Sequence, residues 1–559
     1  MMKKAIKKLL AALLAVAMVC AMAIPAFAYN PGETKEDLNT KHDYGAFQIF
    51  EGVISKDNET LSDVNWGRNI TEPDIFLAKL KEDPTIGGKF ETDFTAQDVL
   101  AVISKWHDSD DNSIAFARVV CHYLYPDANA NPTPVATDHT GGINIPKSGY
   151  YLIVDTSTFS DDDFYHAYNS FFLLNVPQTP YVVLVNHKVV KPTVEKEVYD
   201  NNDIGSTGGW GSSADHAINE PFQFRLIAKL PASENNGRAY DYYKEYAVCF
   251  TDTLSDGITF DKLDTVEITN GDGSTPQEIT EGNYTLKRND PQSITLSIDD
   301  VKTCVPDLNK GATITVTYTA HLNEKAYVNT VGGGTDNKNS VYLEYSNNPR
   351  ISTSLDHTPE SEVRVYTYQL NNTKYRDDDT PGNELAGAGF RLYSGKDCTK
   401  EQEIKLKKNI TDGTYSPYFG TDAGDEMFSD EHGQFNVKGL DAGTYYLKET
   451  TTPADFTPCS VIPPVTITAN HTKDYVDLSG NLSTTIINKK AGGITLPSTG
   501  GIGTTIFYVV GGGPDGCGHR SAGHQEAHGE QVSSISPKNP EQRGRKAPTP
   551  ILITLGSSP

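Results

Sequence analysis

The sequence predicts a mainly β protein made of tandem β-sandwich domains, and three observations support this fold class. Short runs of alternating apolar and polar residues, such as Phe222–Ala228 and Thr313–His321, are separated by turns of Gly, Asn and Asp. Tyr is more frequent than Phe, with 29 residues against 21, which is typical of strand-rich chains. The length of 559 residues corresponds to about three or four domains.

The first residues predict that the chain is secreted. A basic stretch, Lys3–Lys8, precedes an apolar run from Leu9 to Ile24, and Ala26–Ala28 provides an A-x-A cleavage site. This pattern is typical of a signal peptide, here residues 1–28. The chain is also acidic, with 48 Lys and Arg against 73 Asp and Glu, so we do not expect nucleic acid as a partner.

Three units follow the signal peptide. We predict an N-terminal domain, a middle domain and a C-terminal domain with the bounds 29–186, 187–360 and 361–490. The first is mixed α+β, because helical spacing of apolar residues interrupts its strands at 75–81, 95–106 and 112–124. The other two contain only strands and turns. Cys249 with Cys304 and Cys398 with Cys459 are candidate disulfides, and free thiols are the alternative.

One strand of the C-terminal unit carries a carboxyl group on an apolar face. In Gly443–Thr450 the side chains alternate, so Tyr445, Leu447 and Glu449 share one face. If this face belongs to the core, burial favours the uncharged form of the Glu449 carboxyl. The alternative interpretation is a solvated Glu at the end of a strand.

Two further residues predict a chemistry for this carboxyl group. Lys374 lies on the candidate first strand of the unit and Asn488 on the candidate last strand, and such strands are commonly neighbours. A desolvated Lys loses its charge and becomes a nucleophile. We expect Lys374 Nζ to attack Asn488 Cγ while Glu449 polarises the amide and shuttles protons. The products are an amide crosslink and ammonia, so this is self-modification without turnover.

These residues carry a family resemblance. The segment 443–453, GTYYLKETTTP, resembles the E-box of Gram-positive pilins and of collagen-adhesin B-type (SpaA-like) domains, written Y-x-L-x-E-T-x-x-P. Residues 365–375 and 385–393 are similar to the opening of the same domain type, although Asp455-Phe456 replaces the usual Gly-Tyr. The resemblance implies Ig-like β-sandwiches and a crosslink formed by Lys374, Glu449 and Asn488.

The middle unit resembles a second pilin domain. Residues 251–260, TDTLSDGITF, are similar to the D-T-L-x-x-G-L-T-F segment of the collagen-adhesin A-type (fimbrial isopeptide) domain. The resemblance implies that Asp252 is the acid, Lys196 the nucleophile and Asn339 the acceptor of a second crosslink. Asn347 and Asn348 are competing candidates for the acceptor, and each could equally cap a turn.

A lysine between the first two units is a candidate for polymerisation. The segment 183–188, VLVNHK, resembles the V-x-V-Y-P-K core of the pilin motif, with Asn186-His187 in place of Tyr-Pro. The resemblance implies that Lys188 attacks the acyl-enzyme that a sortase forms with the next subunit. Lys191 is the second candidate, and linker lysines that keep the joint soluble are the alternative.

A sorting signal is predicted at residues 491–513. Leu496, Pro497, Ser498, Thr499 and Gly500 fit the sortase pentapeptide L-P-x-T-G, in which the bond after Thr499 is cut. Such signals continue with an apolar helix and a basic tail, but here residues 514–559 are polar. Skipping one base just after Gly513 can give an apolar span followed by Lys-Lys-Arg. We therefore expect that 514–559 is a frameshifted tail, and as written the chain could be released instead of anchored.

The remaining patterns exclude several function classes. A calcium-loop pattern at 108–119 lacks Gly at its sixth position and Glu at its twelfth. Asp155–Ser157 resembles an adhesion metal site but has Phe159 in place of the second serine. The histidines are scattered and no nucleophile–His–acid set is visible. We therefore predict no metal, no cofactor and no enzyme activity.

The combined prediction is a structural pilus subunit that is polymerised by sortase at the cell wall and serves adhesion and colonisation. The partners that the resemblance implies are pilin-specific and housekeeping sortases, other subunits of the homopolymer, peptidoglycan and host surface ligands. The alternative is a wall-anchored adhesin, or a tip or ancillary pilin, that uses the same domains without polymerising.

Overall fold

The computed structural model describes most of the chain between residues 42 and 492. The described ranges are 42–54, 61–107, 110–138, 142–159, 164–176, 181–184, 189–201, 208–233, 238–329, 337–480 and 482–492. The predicted signal peptide, Lys188, the LPSTG segment and the polar tail lie outside these ranges. The prediction of a mainly β protein is confirmed.

The N-terminal part combines seven strands with three α-helices in the described residues. The strands are β1 (Tyr44–Ile54), β2 (Leu61–Trp66), β3 (Ala136–Asp138), β4 (Gly142–Ile145), β5 (Gly149–Asp155), β6 (Phe172–Val176) and β7 (Tyr181–Leu184). The helices are α1 (Pro73–Glu82), α2 (Ala96–Ile103) and α3 (Asp111–Leu124). One sheet has the order β2-β1-β5-β6, with β3 beside β1, and a second consists of β4 and β7.

The three helices lie where apolar spacing predicts them. Thr95 caps α2 in a capping box with Asp98, and the helix ends at Ile103, before the predicted end at Trp106. Phe76 of α1 and Phe116 of α3 pack with ring centroids 6.1 Å apart. Both belong to one core that also contains residues of β1 and β5, so the helices cover a face of the sheet.

The middle part is formed by two sheets around one core. Its strands are β8 (Thr193–Asp200), β9 (Gly209–Gly211), β10 (Ser213–Asp215), β11 (Pro221–Leu230), β12 (Val248–Leu254), β13 (Ile258–Asn270), β14 (Gln277–Glu278), β15 (Thr285–Asp290), β16 (Ser293–Ile298), β17 (Ala312–Leu322), β18 (Lys338–Ser346), β19 (Leu355–His357) and β20 (Ser361–Tyr366). The sheet orders are β14-β13-β17-β11-β8-β9 and β10-β20-β18-β12-β16-β15, with β19 beside β18. Every second residue of β17 is buried, as expected for a strand with one face in a core.

The last strand of the middle part lies beyond the boundary that the sequence predicts. β20 begins at Ser361 and pairs with β18 and, in parallel, with β10. The predicted boundary between 360 and 361 therefore precedes this strand, and the strands of the C-terminal part begin at Tyr368. The polar stretch 352–360 contains the short strand β19. The domain bounds 29–186, 187–360 and 361–490 stay predictions.

The C-terminal part again has two sheets. Its strands are β21 (Tyr368–Arg376), β22 (Gly389–Tyr393), β23 (Glu403–Ile404), β24 (Leu406–Lys408), β25 (Tyr415–Pro417), β26 (Met427–Phe428), β27 (Val437–Leu440), β28 (Gly443–Thr451), β29 (Val465–His471), β30 (Val476–Gly480) and β31 (Ser483–Asn488). The orders are β24-β25-β27-β21-β31 and β23-β22-β28-β29-β30, with β26 beside β22. The first and last strands, β21 and β31, are parallel neighbours.

Three further features complete the fold. Cys121, Cys249, Cys304, Cys398 and Cys459 are free thiols, so neither candidate disulfide is formed. Short 3₁₀ helices lie at Gly87–Lys89, Ala239–Tyr242, Val301–Thr303, Leu308–Lys310 and Lys400–Gln402. Within the described ranges, no helix has both the length and the apolar character that crossing a membrane requires.

Candidate functional site

The pairing of β21 with β31 brings Lys374 next to Asn488. In the parallel register Lys374 lies opposite Ile486, two residues before Asn488. Both side chains point into the core, and Lys374 has 0% and Asn488 1% of its surface exposed. Lys374 Nζ donates a hydrogen bond to Asn488 Oδ1 over 2.6 Å and lies 3.4 Å from the carbonyl oxygen of Ile486.

Glu449 joins the same cluster from the other sheet. Asn488 Nδ2 donates to Glu449 Oε1 over 2.6 Å, and the Cys459 backbone N–H donates to Glu449 Oε2 over 2.8 Å. On β28 the side chains of Tyr445 and Leu447 are buried, but Glu449 is only half-buried. The expected burial is therefore partial, because Glu449 lies near the end of its strand. The structure brings the three predicted residues of the C-terminal part together.

Burial makes Lys374 a weaker base than an ordinary lysine. Desolvation is the main cause, and it lowers the pKa of Lys374 from 10.5 to about 8, although the nearby Glu449 carboxyl opposes the shift. A substantial fraction of the amine is therefore neutral slightly above neutral pH. The hydrogen bond to Oδ1 keeps Nζ beside the Asn488 amide, which a nucleophilic attack on that amide would need.

The middle part contains a second buried lysine cluster. Lys196 lies on β8 with 2% of its surface exposed, and its Nζ donates to Asp252 Oδ1 over 2.6 Å. Asp252 lies on β12, in the opposite sheet, and is also buried. Desolvation lowers the pKa of Lys196 to about 8, and the Asp252 charge opposes the shift.

Asn339 reaches this cluster through a residue that the sequence analysis did not single out, Tyr318. The Tyr318 hydroxyl donates to Asp252 Oδ2 over 2.7 Å, lies 3.2 Å from Lys196 Nζ and accepts from Asn339 Nδ2 over 2.7 Å. Burial, reinforced by the Asp252 charge, raises the pKa of Tyr318 well above its usual value, so the phenol stays protonated. Its position in phase with Val316 and Ala320 on β17 was the signal that could have identified it.

The competing asparagines lie elsewhere. Asn347 accepts a hydrogen bond from the Ser354 hydroxyl over 2.8 Å. Asn348 Oδ1 accepts from the backbone and side chain of Arg350 over 3.0 and 3.2 Å. Both amides therefore have structural partners of the kind expected at a turn, whereas Asn339 Oδ1 has no hydrogen-bond partner among the described residues.

Of the residues predicted to take part in polymerisation, the structure describes only Lys191. Its Nζ lies 4.7 Å from the centre of the Tyr165 ring, a cation–π contact across the joint between the N-terminal and middle parts. Lys188 and residues 496–500 lie outside the described ranges, so their roles stay predictions.

Comparisons with known proteins give one family match and several similar structures. Residues 371–481 match the family described as SpaA, a prealbumin-like fold domain. The comparison with curated protein sequences gave no match.

The similar solved structures include three pilus proteins. The pilus 2b backbone protein of group B streptococcus shares 22% identity at a TM-score of 0.38, with 53% of this chain and 97% of that chain covered. The T6 backbone pilin of serotype M6 Streptococcus pyogenes shares 15% identity at a TM-score of 0.43, covering 81% and 97%. The major pilin SpaA of Corynebacterium diphtheriae shares 17% identity at a TM-score of 0.40, covering 66% and 88%.

The family match covers β22 to β30 completely, along with most of β21, and includes Lys374 and Glu449. The prediction of a SpaA-like C-terminal domain is thereby confirmed. Residues 371–481 of this chain are therefore similar to the SpaA family of prealbumin-like domains.

Proposed function

We propose that the chain is a structural pilus subunit of a Gram-positive bacterium, stabilised by two autocatalytic Lys–Asn isopeptide bonds and joined to its neighbours by sortase. The observation that carries this proposal is the continuous contact from Lys374 Nζ through the Asn488 amide to Glu449. A buried lysine, an amide and a carboxyl group in contact are the reactants and the acid–base catalyst of one amide-bond formation.

The reaction in the C-terminal domain begins with a proton transfer. The ammonium group of Lys374 gives a proton to the Glu449 carboxylate, which leaves a neutral amine and a neutral acid in the low-dielectric core. A half-turn of the Asn488 amide places its oxygen beside Glu449, where the acid donates a hydrogen bond and polarises the carbonyl. Nζ then attacks Cγ and the Cγ–Nδ2 bond breaks. The leaving nitrogen takes up the proton that Nζ loses and departs as ammonia.

The middle domain has the same reactants in a different arrangement. Asp252 contacts Lys196 Nζ directly and accepts its proton, so it takes the acid–base role. Tyr318 holds the Asn339 amide, because its hydroxyl contacts both reactants and the acid. Attack of Lys196 Nζ on Asn339 Cγ gives the second amide and a second ammonia. Each bond forms once per molecule, so the protein is a substrate of its own chemistry and not an enzyme with turnover.

The positions of the reacting residues suit a fibre that bears tension. Lys374 and Asn488 lie on the first and last strands of the C-terminal domain. Lys196 lies on the first strand of the middle domain. Asn339 lies on β18, which is close to the end of that domain in the sequence. A covalent bond between the ends of a domain prevents its strands from separating when the chain is pulled from both sides. This is the mechanical property that a pilus shaft requires.

Polymerisation would use Lys188, which lies between the first two units in the sequence, and the LPSTG segment, which follows the third unit. Sortase cuts after Thr499, and Lys188 of the neighbouring subunit attacks the acyl-enzyme, with Lys191 as the second candidate. The partners are then sortases, further copies of this chain and finally peptidoglycan, at the cell surface. Adhesion to host ligands follows from the pilus role.

One observation favours a second candidate function. The segment 183–188 has Asn186-His187 where the pilin motif has Tyr-Pro. A chain whose lysine is a poor acceptor would remain a wall-anchored adhesin or a tip or ancillary pilin. Its crosslinked domains would then stiffen a stalk that does not polymerise.

Incubation with the matching pilin sortase separates the two candidates. The backbone role predicts a ladder of SDS-resistant products that disappears in Lys188→Ala, whereas the exposed-lysine control Lys400→Ala leaves it intact. If Lys191 is the acceptor, the ladder disappears in Lys191→Ala instead. A ladder that survives the loss of both lysines contradicts the lysine assignment, and the absence of any ladder favours the non-polymerising adhesin.

A further inference from the structure

A cluster of buried acids lies where the middle and C-terminal parts meet. Asp200 ends β8, Asp215 ends β10, and His471 ends β29 of the C-terminal part. Both aspartates have 0% of their surface exposed. The potential ligand atoms of the three side chains all lie within 4.8 Å of one another. The sequence analysis missed this group because its members are far apart in the chain.

Among the described residues, no basic group or hydroxyl donates to the carboxyl group of Asp215. An unpaired carboxylate in a protein core costs several kcal/mol, so buried charges are normally paired or bound to a metal. Asp215 cannot easily turn towards solvent, because β10 pairs with β20 and the next N–H, of His216, donates to the Tyr366 carbonyl over 3.0 Å.

Two more acidic side chains lie near Asp215. The carboxyl group of Asp441, from the C-terminal part, is in hydrogen-bond contact with that of Asp215, and Glu220 lies close to Asp441. The cluster therefore combines acidic side chains from both parts of the chain, and a cation placed among their carboxylates would relieve the repulsion between them.

The imidazole of His471 is oriented as a metal ligand requires. Its Nδ1 lies 2.9 Å from the Ser213 hydroxyl oxygen, and its Nε2 lies 3.4 Å from Asp200 Oδ2. When Nδ1–H donates to Ser213, the lone pair of Nε2 points towards the carboxylates. A hydrogen bond on the other ring nitrogen is the usual support of a metal-binding histidine.

We propose that Asp200, Asp215 and His471 bind one divalent transition-metal cation, with zinc as the best fit, which joins the middle and C-terminal parts. Two carboxylates and one imidazole are a ligand set that Zn²⁺ accepts, with bonds of about 2.0 to 2.2 Å. In a tetrahedral site, two ligand atoms at that distance from one ion are about 3.4 Å apart. His471 Nε2 and Asp200 Oδ2 already have this separation. Side-chain shifts of about 1.4 Å or less bring all three ligand atoms into one coordination sphere, and the ion would fix the joint between the domains.

Zinc binding by the full secreted chain tests this proposal. Protein stripped with a chelator is equilibrated with excess Zn²⁺, and bound zinc is measured by mass spectrometry of the metal after gel filtration. Since His519, His524 and His528 of the tail can also bind zinc, the readout is the difference from the wild type. We expect Asp215→Asn and His471→Gln each to lose one equivalent of zinc, while His432→Gln, which changes an exposed histidine of the same part, loses none.

Melting temperatures with and without zinc distinguish the loss of the metal site from misfolding of the variant. Without metal, Asp215→Asn should melt at a higher temperature than the wild type, because it removes an unpaired buried charge. With zinc the order should reverse, because only the wild type is stabilised by the ion. The proposal would be overturned if both variants bound as much zinc as the wild type. It would also be overturned if zinc did not change the melting temperature of the wild type.

Discussion

Lys374 Nζ lies 2.6 Å from Asn488 Oδ1, although the two residues are separated by 114 positions in the sequence. The contact spans two parallel strands that open and close the C-terminal domain. A bond at this point would enclose almost the whole domain in one covalent loop. Such a loop restricts the unfolded chain far more than the folded one, as a disulfide of the same span does.

Glu449→Gln should leave the C-terminal domain folded but unbonded. The substitution keeps the shape of the side chain and removes the acid that the reaction needs. By the loop-entropy argument for disulfides, the free energy of unfolding of this domain should fall by about 5 kcal/mol. Differential scanning calorimetry measures the change, and Glu431→Gln, at an exposed position of the same domain, serves as the control. Equal melting temperatures for Glu449→Gln and the wild type would contradict the crosslink.

Tyr318→Phe should slow bond formation in the middle domain while preserving its packing. The ring stays in the core, but the hydroxyl that contacts Lys196, Asp252 and Asn339 is lost. A hydrogen bond of this kind contributes about 1 to 2 kcal/mol, which corresponds to a rate lower by about five-fold to thirty-fold. Intact mass recorded over time after synthesis follows the reaction. Tyr342→Phe on β18 is the matched control, and equal rates in the two variants would exclude a role for the Tyr318 hydroxyl.

The Lys196 amine should make stability depend on pH when its crosslink cannot form. In Asn339→Ala the amine stays free, and its pKa in the folded protein is lowered by burial to about 8 from 10.5. Between these values the unfolded state binds the extra proton. The free energy of unfolding should therefore rise as the pH increases from 8 towards 10.5, and the penalty should be fully present below pH 8.

Urea unfolding at several pH values measures this effect. The double variant Lys196→Met with Asn339→Ala lacks the amine and should lack the rise. Parallel pH profiles for the two proteins would show that the buried lysine does not titrate as expected.

The sequence alone predicts much of the C-terminal site, for clear physical reasons. Alternation on a strand places Tyr445, Leu447 and Glu449 on one face, and the neighbouring positions of first and last strands bring Lys374 to Asn488. The partial exposure of Glu449 was not predicted, because alternation gives the face of a residue but not its distance from the end of a sheet. The match of residues 371–481 to the SpaA family supports the same domain independently.

Other features of the molecule could not be predicted from the sequence. Tyr318 was missed because a tyrosine in an alternating strand is usually an ordinary core residue, and only the packing of two sheets reveals its three polar contacts. The group of Asp200, Asp215 and His471 was missed because it depends on the joint between two domains. The parallel pairing of β20 with β10 was not predicted, because β10 is short and carries no clear sequence pattern.

The intact mass of the secreted wild-type chain tests the central claim most directly. Two isopeptide bonds predict a mass lower than that of the mature sequence by two molecules of ammonia. Peptide mapping should then join Lys374 to Asn488 and Lys196 to Asn339. A link from Lys196 to Asn347 or Asn348 would correct the middle-domain assignment alone. A mass equal to that of the unmodified sequence would contradict the account.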